Sequence, residues 1–261
     1  MGRRLQGNDR QRERQVQSQT AGRIASRMRE RFQASIQRAM MLAADAFEAD
    51  SGSDSGLGIV RMEHRASMEE ALVSEWRIAA EAGGRRILAE AKRAHGPLYR
   101  KGDPMDDQFS QRVREILAGD VMRRAAQLSE STIRDIRARI QRGIRDGRNV
   151  DQIAAEIRQK APQISAYRSM MISRTESHTA YNAGHQAAAA ASDLIIRREW
   201  VSAQDERTRA NGFDHLAADG ETVGAEEAFV ETGERLLYPG DPSGSPGNII
   251  HCRCGVADII E

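Results

Sequence analysis

The 261-residue chain is 30% charged and only 4% aromatic, so any core must come mainly from Ile, Leu, Val, Met and Ala, which favours helices over a large sheet. Its formal net charge of +1 hides an uneven distribution. Arg3, Arg4, Arg10, Arg12, Arg14, Arg23, Arg27, Arg29, Arg31 and Arg38 crowd the start, while the region after Asp205 is acidic. The opening residues lack the apolar run of a secretory signal, no stretch approaches the roughly 20 apolar residues of a bilayer span, and two cysteines one residue apart make no disulfide framework.

The expected setting is therefore a reducing cytoplasm, with no membrane partner. Residues 1–20, rich in Gln, Arg and Gly, are expected to form a basic disordered arm. Such an arm can hold DNA non-specifically, meet an acidic protein surface, or simply stay solvated. Ile24, Met28, Phe32, Ile36, Met40 and Phe47 then give the stripe of an amphipathic helix. The Ser- and Gly-rich stretch Asp50–Gly56 ends it.

A second helix is expected over about residues 60–94, with Gly83-Gly84 marking a break or kink. Gly96-Pro97 and Lys101-Gly102-Asp103-Pro104 read as a linker. Phe109, Val113, Ile116, Leu117 and Val121 predict the next helix. Ser131 is a candidate cap for a further one, striped by Ile133, Ile136, Ile140 and Ile144. Asp146-Gly147 should stop that helix, and Asn149 should cap a short one carrying Val150, Ile153 and Ile157.

Residues 163–192 predict a long helix on which Arg174, His178, Tyr181 and His185 share a face. That face either packs beneath the C-terminal lobe, bonding to its loops, or forms a ligand or catalytic surface with His178 and Glu176. From Leu194 the pattern turns to strand, interrupted by Arg197-Arg198-Glu199. Asp205 to Gly212 reads as a turn-rich loop in which Asp205 bonds its own following amides. Asp219-Gly220, between Leu216 and Val223, signals a hairpin. Residues 226–237 predict a short helix, 238–247 a Pro- and Gly-rich loop, and 254–260 a last strand. The expected fold class is α+β: a mainly helical N-terminal part followed by a small C-terminal α+β lobe with short strands.

His215, His251, Cys252 and Cys254 are side chains that zinc accepts. Residues two apart in a strand share a face, so both thiolates could reach one ion, while His251 would need a turn or bulge to join them. The alternatives are two reduced, buried cysteines serving as small apolar residues, or a strained disulfide. An ion here would be a structural staple for a loop-rich lobe.

In order, Arg174-Thr175-Glu176, Trp200, Asp205-Glu206-Arg207-Thr208, His215, Asp219-Gly220 and the closing Cys252-Arg253-Cys254 resemble the signature of the phage Mu F-like family, the minor head or head morphogenesis proteins of tailed phages. The resemblance covers the C-terminal half. It implies a hairpin of short helices before the Arg-Thr-Glu helix, and relatives often carry extra Cys or His in the Asp-x-Arg-Thr loop, near His215. The resulting division is a basic arm (1–20), a helical region (21–125) and a Mu F-like head morphogenesis domain (126–261). The implied role is a non-enzymatic assembly factor of the virion, at the portal vertex and capsid interior after assembly in the host cytoplasm. Its implied partners are the portal protein and a scaffold or major capsid protein, with packaged DNA touched through the arm. No Ser elbow, Walker-type loop or His-Glu-x-x-His motif is present. The competing reading is a metal-dependent hydrolase or nuclease using Glu176, His178, Asp205 and His215.

Overall fold

The computed structural model describes residues 7–95, 104–192 and 196–260. In chain order these form α1 (Gly7–Ala49), α2 (Leu57–His95), α3 (Pro104–Ile116), a π-helical turn (Leu117–Val121), α4 (Met122–Arg145), α5 (Val150–Ala191), β1 (Ile196–Val201), β2 (Thr222–Gly224), the short α6 (Pro246–Ile249) and β3 (Gly255–Ile260). This is the expected mainly helical part followed by a small α+β lobe. Among the described residues no helix is long and apolar enough to cross a membrane.

The expected arm is helical from Gly7 onward. This segment is held by a partner far along the chain: Glu13 and Gln17 are buried. The Gln17 amide donates to Glu13 Oε1 at 3.0 Å and to the Val256 carbonyl at 2.6 Å. The linker 96–103 lies outside the described residues. Ser131 does not cap a helix; it sits inside α4, and its hydroxyl donates to the Leu128 carbonyl at 2.9 Å. The stop at Gly147 is present, with φ 72° and the Arg148 amide on the Gly143 carbonyl at 3.0 Å. Asn149 caps the following helix: its Oδ1 accepts from the Gln152 amide at 2.9 Å, and Gln152 Oε1 accepts from the Asn149 amide at 3.0 Å. The two helices expected after it are one, since α5 runs through Pro162 without a break.

The described residues form two compact units, each built from separate pieces of chain. One takes them from 26–74 and 119–173. Its core is Met28, Phe32, Ile36, Met40 and Phe47 from α1, Met68 and Leu72 from α2, Ile133, Ile136 and Ile140 from α4, and Ile153 and Ile157 from α5. The expected stripes are thus buried, apart from Val150, which is half-buried, and Ile144, which is exposed.

The other unit takes its residues from 1–25, 75–118 and 174–261. Here the Gly83-Gly84 pair makes no break, because α2 is continuous. A Cβ on Gly83 would stand 1.9 Å from the Tyr181 carbonyl oxygen, and one on Gly184 would stand 1.8 Å from that of Ala80. These glycines let two backbones touch. Ile87 and Ala91 of α2, Phe109 and Val113 of α3, and Ala187, Ala188 and Ala191 of α5 pack into one cluster with Ile196.

The sheet is antiparallel with order β2-β1-β3, pairing Arg198 with Val223 and Trp200 with Val256. Leu194 and Ile195 lie outside the described residues. Arg197-Arg198-Glu199 do not interrupt β1; they belong to it. Asp219-Gly220 is not the tight turn of a short hairpin, for Leu216 lies in a turn and the whole stretch 202–221 links β1 to its neighbour β2. The helix expected over 226–237 is absent as well. Phe229 and Leu236 pair instead across a turn at Gly233, whose φ is 86°. The buried Arg198 guanidinium also donates to the carbonyls of Gly224, Glu227 and Leu237; a helix there would use that of Glu227 internally.

Candidate functional site

Trp200 is the floor on which the C-terminal lobe is assembled. Fully buried in the central strand, it meets the His215 ring edge-on at 5.5 Å and the Phe229 ring at 5.3 Å. The loop that delivers His215 is made by local hydrogen bonds. As expected, Asp205 accepts from the following Arg207 amide at 3.0 Å and the Thr208 hydroxyl at 3.2 Å. Asp214 repeats the device with the amides of Leu216 and Ala217 at 3.0 and 2.9 Å. The His215 amide closes the loop on the Arg209 carbonyl at 3.0 Å.

Three of the four expected metal-ligating side chains converge. One ligand atom from each of His215, Cys252 and Cys254 lies within 4.8 Å of the others, and all three residues are buried. His215 Nδ1 is 3.4 Å from Cys254 Sγ and 3.7 Å from Cys252 Sγ. Both cysteines are free thiols, so they form no disulfide. The hydrogen bond from Cys254 holds the Cys252 thiol below its ordinary range, with Arg209 and Arg253 adding to the effect. Giving that bond, together with burial, pushes Cys254 well up.

The ring of His215 has a fixed orientation and a fixed tautomer. Asn248, fully buried, points its amide nitrogen at Glu234 Oε2 (3.0 Å) and Thr232 Oγ1 (3.3 Å). The Ser245 hydroxyl and amide keep the Glu234 carboxyl below the usual carboxylate range, so it is an acceptor only. The Asn248 oxygen must therefore face His215, and it takes the Nε2–H at 2.7 Å. Nδ1 is left as a bare lone pair turned toward the two sulfurs.

His251 stands outside this group. Its φ of 61° turns the chain, its amide donates to the Thr175 hydroxyl at 3.1 Å, and its ring is half-buried. Burial, followed by the nearby guanidiniums of Arg174, Arg209, Arg253 and Arg207, lowers the affinity of its ring for a proton.

Helix α5 supplies the polar face expected beneath the lobe, but one residue further round. Thr179 donates to the Gly240 carbonyl at 3.1 Å, Asn182 to the Pro239 and Cys254 carbonyls at 2.9 and 3.1 Å, and Gln186 to the Ala225 carbonyl at 3.0 Å. With Thr175 these repeat the spacing of four, three and four. Of the expected face, Arg174 is exposed. Burial lowers the pKa of His178 to about 4. His185 meets Asp258 at 3.0 Å. Neutral Thr, Asn and Gln are less conspicuous in a sequence than Arg and His, and Asn248 was equally easy to overlook. The one signal pointing to them was the shared helical period.

The residues of the hydrolase reading are dispersed among other partners. Glu176 accepts from Trp76 Nε1 at 3.1 Å, Asp205 pairs with Arg253, and neither they nor His178 joins the His215 group. Part of the basic N-terminal stretch is likewise engaged. Arg10 pairs with the buried Glu199 at 2.6 Å, and Arg14 donates to the Ser202 carbonyl at 2.8 Å.

Residues 134–257 match the family described as Phage Mu protein F like protein. The match covers the C-terminal part of the chain, and the family it resembles there is one of structural phage head morphogenesis proteins. No curated protein and no solved structure matches the chain.

Proposed function

We propose that the chain, with a phage Mu F-like C-terminal part, works as a minor head protein bound to the portal and facing the interior of the procapsid. The observation that carries this reading is the matched segment itself. Its signature residues are gathered into one buried construction: Thr175 on α5, Trp200 on β1, and Cys252 and Cys254 beside His215. A lobe fastened in this way presents a rigid surface for assembly.

Association would use exposed apolar side chains on the helices: Ile59 and Met62 of α2, Ile144 of α4 and Tyr167 of α5. Such residues standing in water suit contact with a portal, scaffold or major capsid subunit. Contact with packaged DNA would fall to exposed arginines of α1 such as Arg12 and Arg23, because Arg10 and Arg14 are held by the lobe. It would be sequence-independent and weakened by salt.

The test is co-purification of the tagged protein with the portal protein of the same phage, at low and high salt, with nuclease present. A nuclease-resistant complex of fixed stoichiometry is expected. Recovery of nucleic acid alone, released by salt, would replace the portal-bound role with a DNA-binding one.

A further inference from the structure

We infer that His215, Cys252 and Cys254 form a zinc site, with His215 binding through Nδ1 and His251 taking no part. The inference rests on the ligand geometry and stands apart from the assembly role. Three donors are buried within 4.8 Å of one another, on loops that otherwise share little regular structure. Apolar packing gives no reason to turn a bare imidazole nitrogen toward two thiols. Nor does it explain a fully buried Asn248, itself fixed by Glu234, that accepts the opposite nitrogen's proton. Histidines that bind metals are held in this manner, with the second ring nitrogen donating to a neighbouring acceptor that sets the tautomer.

The donor set selects the ion. Two thiolates and an imidazole suit zinc and disfavour magnesium or calcium, which take oxygen ligands. On binding, the two thiol protons pass to solvent, the sulfurs and Nδ1 each donate an electron pair, and no electron is transferred. One further light-atom donor completes a tetrahedron. The ion would tie residue 215 to residues 252 and 254, joining the loop after β1 to the turn before β3.

The experiment is metal analysis of the full chain purified without chelator, followed by cobalt(II) exchange and X-ray absorption at the zinc edge. One zinc per chain is expected, with two sulfur neighbours at about 2.3 Å and nitrogen or oxygen neighbours at about 2.0–2.1 Å. The cobalt form should show sulfur-to-cobalt charge transfer and intense tetrahedral bands. His251→Ala should keep the metal. Asn248→Ala should weaken binding about 10- to 100-fold while sparing the sulfur signal. Cys252→Ser and Cys254→Ser should each lose a sulfur neighbour or the ion. Should those variants fail to fold, the unaltered protein still decides: release of zinc in step with titration of two thiols supports the site. A metal-free folded chain in zinc-supplemented medium would overturn the inference, as would loss of the ion in His251→Ala with retention in His215→Ala.

Discussion

Gly184 and Ala80 meet backbone to backbone: a methyl group placed on Gly184 would lie 1.8 Å from the Ala80 carbonyl oxygen. Neither helix can retreat without opening the cluster that includes Ala80, Ala187 and Ala188. Gly184→Ala should therefore destabilise the protein by about 3 kcal/mol or more, through overpacking. Gly22, inside α1, has open space around it and is the internal control. Gly22→Ala should stabilise by about 1 kcal/mol, the ordinary helical preference. Urea unfolding of both variants checks the contrast, and equal effects would refute the close-approach account.

The polar face of α5 makes a second prediction. Asn182→Ala strands two buried carbonyls, those of Pro239 and Cys254. A loss of about 1–3 kcal/mol is expected from leaving such groups unsatisfied. Faster amide exchange should accompany it in residues 239–254. Arg174→Ala, at an exposed position, should change stability by less than about 0.5 kcal/mol.

His64 links stability to pH. It is buried in contact with Ser35 Oγ at 3.0 Å, and desolvation, helped by Arg168, lowers its pKa from 6.5 to about 4. Between those values the unfolded chain binds the proton and the folded chain does not. Stability is thus fully present above about pH 6.5 and drains away as pH falls toward 4, by roughly 3 kcal/mol in total. Unfolding midpoints measured from pH 7.5 to 4.5 should follow that slope. His64→Gln should remove only its own share of the slope, because His178, also lowered to about 4, contributes in the same window; an unchanged slope would remove His64 as a source.

Arg10 reaches the buried carboxylate of Glu199 from a side chain that is itself 25% exposed. Arg10→Ala should cost about 2–3 kcal/mol by leaving that charge less compensated. Adding Glu199→Gln should restore part of the loss in a double-mutant cycle. If the two changes are simply additive, the pair is not coupled.

Much of the fold was legible because burial repeats with the helical period. Met28 through Phe47 and Ile133 through Ile140 are core residues on the stripes that announced them. Capping chemistry at Asn149 and the stop at Gly147 were equally local, and so readable. What escaped depended on distant partners. Gly83 looks like a helix breaker until Tyr181 is seen against it, and Gln17 looks like disordered polar chain until the Val256 carbonyl accepts its hydrogen bond. In the candidate site, ligand type identified His215, Cys252 and Cys254. Only the folded loops could separate His251 from them or reveal Asn248.

The bond from Gln17 to the Val256 carbonyl joins residues 239 positions apart. During synthesis the first turns of α1 leave the ribosome long before their acceptor exists. Until β3 is made, Glu13 and Gln17 have no sheet edge to cover, and the lobe has no seat for Trp200. Closure must wait for nearly the whole chain, as befits contacts of such long sequence separation. A nascent chain stalled before residue 255 should leave its N-terminal segment open to protease, and adding the last strand should protect both ends together.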